Sequence, residues 1–328
     1  MDVPLAPYVP PRFLGNGHVQ SIVPNVFRRV SLPPYARERI KLSDGDFLDV
    51  DWLCAGNDRV AILSHGLGGY SRRPYVTGMA RALRAAGWDI AAWNFRGCGG
   101  TINNRPRFTH SGSSDDLAAV IEHVRRRGTY RRIALVGFSM GANITLLYLG
   151  RLANAIPPEL CGAVAFSVPC DLRAASEVLA RPGNRIYMRR FLRQLREHLR
   201  AMSARFPEAI SLRGYEAIRD FRDFDDRYTA PLHGFRDALD YWEQSSSRRV
   251  LASIARPAWI INARNDPFLA PECFPEAEAA ANPCLHLIAP ASGGHCGFLR
   301  FRSKGRYWSE QVAKQILQTT SETSNEKK

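Results

Sequence analysis

A serine stands between two glycines at residues 137–141, Gly-Phe-Ser-Met-Gly, where the apolar run Ile133 to Val136 gives way to a stretch of helical character. A G-x-S-x-G match arises by chance in roughly one chain of this length in ten at ordinary Gly and Ser usage, so the context carries the weight. At the end of a strand and the start of a helix, such a turn strains the serine backbone and presents Ser139 Oγ at the strand's carboxyl edge. The glycines leave room for a close strand–helix crossing. The N–H of Met140, first in the helix, would face an oxyanion developing at that oxygen's target. The alternative is a structural serine in a tight turn.

A serine hydroxyl is a weak nucleophile. It needs a base, and the base needs an orienting acid. His295, in "APASGGHCGFL", follows the last expected strand in a Gly-rich loop, where a flexible turn can swing imidazole over the sheet edge. Asp266, in "WIINARNDPFLAP", closes the preceding strand, with Pro267 blocking its extension; Asp171, after "GAVAFSVP", is the rival acid. The order Ser139, Asp266, His295 is that of the α/β-hydrolase fold. A second oxyanion donor belongs in the loop "LSHGLGGYSRRP" (63–74), where the Leu67 N–H fits and its side chain is free to line an acyl pocket. His65 reads as a structural loop residue. No G-K-[ST] follows these glycines, which argues against a phosphate cradle.

The elements that must position these groups alternate. Strands are expected at 60–66, 89–97, 132–139, 162–169, 257–266 and 285–290, and helices at 73–87, 113–128, 140–152, near 271–281 and over 305–318. Ser113 reads as the cap of the second helix. A hairpin over 37–53 turns at Asp44-Gly45, and the first thirty residues look Pro-rich and irregular. Nearly all-apolar strands alternating with amphipathic helices specify an α/β class: a mostly parallel central sheet with helices on both faces. The alternation lapses over 171–250, too long for a loop, and this reads as a helical cap inserted over the sheet. The expected organisation is thus an N-terminal segment (1–36), a core in two stretches (37–170 and 251–318) separated by the cap, and a disordered tail (319–328).

Within 184–200, Met188, Phe191, Leu192, Leu195 and Leu199 share one helical stripe, and Arg189, Arg190, Arg193, Arg196 and Arg200 take the remaining surface. This suits either a mobile lid whose basic face makes weak contact with an anionic membrane or a cap helix packed on the core. Either way the serine is enclosed, which favours an apolar acyl group.

With 328 residues, 45% of them hydrophobic, the chain can bury a sizeable core. The net charge of +14 comes almost wholly from scattered arginines, without a nucleic-acid-binding signature. Seven cysteines, odd in number and never in C-x-x-C, point to a reducing compartment and away from disulfides or structural zinc. The opening "MDVPLAPYVPPRF" is no signal peptide, and no apolar run reaches the roughly 18 residues of a membrane span. A cytoplasmic location is expected.

Six blocks in order, "LSHGLGGYSRRPYVTGMARAL", "NFRGCGGTINNRPRFTHSGSSDDL", "VGFSMGANITLLYLG", "FDDRYTAPLHGF", "NARNDPF" and "SGGHCGF", together with the early "FLGNGHVQSIVP", resemble the YheT-type esterase branch of the α/β-hydrolases. That branch includes bacterial esterases, eukaryotic lipid hydrolases and yeast enzymes that make medium-chain fatty-acid ethyl esters. The resemblance implies an α/β-hydrolase fold with Ser139, Asp266 and His295 as its triad. The expected activity is hydrolysis of a small carboxylic ester with an apolar acyl group, needing no metal or organic cofactor. Acyl transfer to an alcohol is the alternative, and a non-catalytic binder of hydrophobic ligands is a more distant one. Dehalogenase or epoxide-hydrolase chemistry is disfavoured, since it needs an aspartate where Ser139 stands.

Overall fold

The computed structural model describes residues 3–301 and 305–323. Eight strands form one sheet: β1 (Ala36–Lys41), β2 (Phe47–Leu53), β3 (Arg59–Ser64), β4 (Asp89–Asn94), β5 (Arg132–Phe138), β6 (Leu160–Phe166), β7 (Ala258–Ile261) and β8 (Leu285–Ile288). Their spatial order is β1-β2-β4-β3-β5-β6-β7-β8. Only β2 runs against its neighbours; β4, β3, β5, β6, β7 and β8 pair in parallel. This is the α/β-hydrolase architecture. The hairpin turns where expected, with the Gly45 N–H on the Leu42 carbonyl.

Strand periodicity divides the core in two. Along β3, Val60 and Ile62 join one apolar cluster while Ala61 and Leu63 join another. The first is covered by α3 (Ser114–Arg126) and α4 (Met140–Leu152) through Leu117, Ile121, Leu146 and Leu149; the second by α2 (Pro74–Arg84) and the C-terminal helix through Met79, Leu83, Val312 and Ile316. Between β6 and β7 lie α5 (Leu172–Leu179), α6 (Arg185–Arg205), α7 and α8 (Ala238–Ser245). In α7 the turns Phe221–Phe224 and Ala230–His233 flank a π turn, Asp225–Thr229. These helices build a core of their own from Leu179, Met188, Leu192, Leu199, Met202 and Tyr228. Later, α9 (Glu276–Ala281) and α10 (Trp308–Thr323) complete the chain. Among the described residues no helix is long and apolar enough to cross a membrane.

Several expectations need correction. Residues 17–27 are not irregular but form helix α1 (Gly17–Phe27), started by Asn16, whose side chain accepts from the His18 and Val19 N–H groups. Pro24 sits inside it and concealed it from a reading of the sequence. Ser113 stands at the N-cap position of α3 but makes no capping bond; its hydroxyl accepts the His110 N–H and shapes the preceding loop. The helix expected near 271–281 is a single 3-10 turn, Pro271–Cys273, followed by the shorter α9. α10 runs on to Thr323, so residues 319–323 of the expected disordered tail are helical, and 324–328 lie outside the described residues.

Candidate active site

β5 ends at Phe138 and α4 begins at Met140, so Ser139 makes the turn alone, at φ 53° and ψ −120°. A non-glycine residue holds such a backbone only where its surroundings over-determine it. Here the Ser139 N–H donates to the Phe166 carbonyl on β6 at 2.9 Å, and its own carbonyl accepts from Ala142 and Asn143. The flanking glycines follow from how closely helix and strands cross. A Cβ on Gly137 would lie 2.5 Å from Ala142 Cα, and one on Gly141 would lie 2.5 Å from the Ser64 carbonyl oxygen.

His295 faces Asp266, with Nδ1 at 2.9 Å from Oδ2 and 3.1 Å from Oδ1. The Asp266 side chain is fully buried, and its Oδ1 also accepts the Phe268 N–H at 2.9 Å. Two donors on one carboxylate fix the tautomer: Nδ1 carries the proton and Nε2 is left for chemistry. The ring of Phe268 packs against the imidazole, centroids 4.2 Å apart. Asp171, the rival acid, is engaged elsewhere; it caps α5, its Oδ1 accepting the Ala174 N–H at 3.0 Å.

The loop carrying His295 is held, not free to swing. Its Gly294 N–H donates to Asn265 Oδ1, its His295 N–H to Ser21 Oγ at 2.8 Å, and its Cys296 N–H to Ser167 Oγ at 2.8 Å. The glycines serve proximity: a Cβ on Gly294 would lie 2.9 Å from the Ser21 nitrogen, and one on Gly297 would meet the Gln20 carbonyl. Pro24, four residues on from Gln20, has no N–H to claim that carbonyl, which leaves it facing the loop. The N-terminal helix is therefore a buttress for the histidine. The quoted "FLGNGHVQSIVP" was the signal, but nothing in its spacing showed where it would pack.

Among the described residues, neither the Leu67 nor the Met140 N–H has a hydrogen-bond acceptor in the protein, whereas the Gly66 N–H is taken by Tyr75 Oη and the Gly69 N–H by the Gly66 carbonyl. His65 holds this loop. Its Nε2 accepts the Phe95 N–H at 3.1 Å, so Nδ1 is the protonated nitrogen and donates to the Gly66 carbonyl at 2.8 Å. Burial lowers its pKa to about 3, which keeps it neutral and structural.

Ser139, His295, Leu67 and Met140 line one cavity of about 390 Å³. Phe95 and Phe108 contribute from the core, Leu172 and Leu179 from α5, and Phe191 and Leu195 from the stripe of α6. Polar groups line it too, among them His110, Asp225 and Thr229. Burial pushes the Asp225 carboxyl up to about 7, against hydrogen bonds from Thr229 and, at 2.8 Å, Trp242 Nε1. Sequence reading missed these polar groups, and also Gln194 and His198 of α6. It missed Arg96 as well, whose buried guanidinium holds Asp116, Asp46 and Asp44 at 2.7–2.8 Å, while its main-chain N–H and Asp116 both bond Thr109, between Phe108 and His110. The "FDDRYTAPLHGF" block was visible without its chemistry. Among the described residues no group of three or more His, Cys, Asp or Glu side chains is arranged to hold a metal ion.

A family model described as the alpha/beta hydrolase fold matches residues 62–300. The protein named "Putative esterase YheT" of Escherichia coli (strain K12) is 34% identical over 301 residues, covering 90% of this chain and 87% of its own. The chain belongs to the α/β-hydrolase family. Within that family the hydrolase is also 31% identical to the mouse (Mus musculus) protein named phospholipase ABHD3, over 90% of this chain and 75% of that one. In fold it resembles the esterase Pf2001 of Pyrococcus furiosus, with a TM-score of 0.58 at 20% identity, covering 87% of this chain and 91% of the other.

Proposed function

We propose that this hydrolase is a serine esterase that cleaves small carboxylic esters bearing an apolar acyl group, with Ser139, His295 and Asp266 as its triad. One observation carries the reading: the strained serine and the histidine that Asp266 holds line the same, mostly apolar cavity beneath the cap. The esterase and phospholipase names of its relatives point the same way.

His295 Nε2 takes the Ser139 proton as Oγ attacks the ester carbonyl carbon. Charge that gathers on the carbonyl oxygen falls to the Leu67 and Met140 N–H groups; each such donor contributes about 3 kcal/mol to the transition state. Asp266 holds the imidazole tautomer and stabilises the imidazolium. The carbon–oxygen bond to the alcohol then breaks, with His295 returning the proton to the departing oxygen. Water, deprotonated by the same nitrogen, attacks the acyl-serine, releases the carboxylic acid and restores Ser139. The acyl chain lies along Leu67, Phe108, Leu179 and Leu195, and the basic outer face of α6 (Arg189, Arg193, Arg200) supports weak contact with an anionic bilayer.

The test is Ser139→Ala. Hydrolysis of p-nitrophenyl hexanoate should fall by about a million-fold, and a fluorophosphonate probe should label the parent and not the variant. A Ser139→Ala protein of full activity overturns the reading.

A further inference from the structure

The two residues at the heart of the site, Ser139 and His295, are shared by a second, smaller cavity of about 100 Å³. The two also share Leu67, Arg73, Phe191, Gln194 and Phe268, but Ser21, Asn25 and Arg190 line only the second. Ser21 and Asn25 from α1, Gln194 from α6 and the guanidinium groups of Arg73 and Arg190 line it, and among the described residues no carboxylate does. A scissile ester at Ser139 must direct its acyl group and its alcohol group into different spaces. The larger, apolar space suits the acyl chain. The smaller space, cationic and rich in hydrogen-bond donors, is left for the alcohol.

From this partition, and resting on the esterase reading above, we infer that the hydrolase selects esters whose alcohol group carries an anion, a carboxylate or a phosphate, held between Arg73 and Arg190. The two arginines come from different layers. Arg73 precedes α2 on the sheet side, where its Nη2 donates to the Gly68 carbonyl at 2.8 Å, and Arg190 stands on α6 of the cap. Among the described residues neither takes part in an ion pair, whereas Arg196 on the same helix is paired with Glu216. The Arg190 guanidinium is held below its ordinary range by burial and by the facing charges of Arg73 and Arg193. Two cations converging without a counter-ion repel each other, and a bound anion turns that repulsion into a paired, charge-assisted contact. Because one arginine belongs to the core and the other to the cap, the same anion would also draw the two together over the serine.

The experiment compares kcat/KM for matched hexanoyl esters: 1-hexanoylglycerol against 1-hexanoylglycerol 3-phosphate, and methyl 4-(hexanoyloxy)benzoate against 4-(hexanoyloxy)benzoate, with hexanoylcholine as the cationic member. Each anionic ester should be preferred over its neutral counterpart, and the phosphate and carboxylate arms show which anion fits better. Arg190→Gln should lower the anionic-to-neutral ratio about ten-fold, Arg190→Glu should turn the preference toward hexanoylcholine, and Arg185→Gln, exposed at the start of α6 and lining neither cavity, should leave the ratio as it was. Raising the ionic strength should shrink the preference. Equal rates within both pairs, or a ratio indifferent to Arg190→Glu, overturn the inference while leaving the esterase standing. A preference that appears only when the ester is presented in phosphatidylglycerol-containing vesicles, and not for the soluble esters, also overturns it, since the arginines would then read a surface and not a head group. Hydrolysis of none of the esters removes the esterase reading and this inference with it.

Discussion

Around Ser139 the sheet side and the cap side are built by different means. On the sheet side, positions are set by main chain: Ser139 is tied to Phe166, the histidine loop to Ser21 and Ser167, and glycines allow approaches that any Cβ would prevent. On the cap side, an apolar cluster does most of the holding, with a few polar ties such as His18 Nδ1 to Tyr187 Oη at 3.1 Å and Asn184 Nδ2 to the Pro267 carbonyl at 2.7 Å. Backbone-fixed groups suit chemistry that fails when displaced by an ångström. Side-chain-packed helices tolerate substitution, so the cap is where substrate preference can change without disturbing the proposed relay.

Changes on each side should therefore have different signatures. After Ser139→Ala, the largest effect is expected from Asp266→Asn, which leaves the wall in place but releases the tautomer of His295; kcat should fall about ten-thousand-fold with the melting temperature nearly unchanged. If activity survives, the relay is not what this wall is for. Next comes Arg96→Met, in the lining of the cavity. It strands the buried Asp46 and Asp116 carboxylates and should cost about 3–5 kcal/mol in denaturant unfolding.

Third is a pH effect from the cap. Asp225 is held protonated up to about 7, whereas in the unfolded chain it ionises near 3.8. Between those values the folded state binds the proton more tightly, so this group's contribution to stability is full below about pH 4 and is lost as pH rises through about 7, by up to about 4 kcal/mol. Asp225→Asn has no proton to lose, and the difference between parent and variant unfolding curves should show that slope. His65, His110 and His198, buried and with pKa values lowered to about 3, 3 and 4, act in the opposite sense, weakening the fold as pH drops below about 6.5. A difference curve without slope would mean that Asp225 is ionised inside the cap. The smallest effect should come from Tyr187→Phe, which removes the tie to His18: about 1 kcal/mol of stability, read by thermal melting, with ester hydrolysis altered only a few-fold.

The same division governs how much could be read from the sequence. The elbow was legible because its requirements are local: an apolar strand, a serine, and glycines at fixed offsets. Asp266 and His295 were legible because each follows a recognisable strand. Helix α1 was not, since an internal proline hides it and its contacts lie more than 270 residues away, at His295. The purpose of Gly294 and Gly297 could not be seen for the same reason, so a tightly seated loop read as a flexible one. Arg96 finds Asp46 and Asp44 across a strand pairing that only the fold supplies, and the aromatic blocks of the cap looked like structure without showing which groups would face the cavity.

The seating of α1 against the histidine loop also sets an order of events. Residues 16–21 leave the ribosome long before the loop they support, 293–297. The serine's elbow can form once β5 and β6 exist, but His295, the proposed base, cannot be fixed until that late loop has emerged and met the early helix. A nascent hydrolase is thus expected to stay inert toward esters until the loop is made, and deleting either segment should silence it while most of the sheet stays folded.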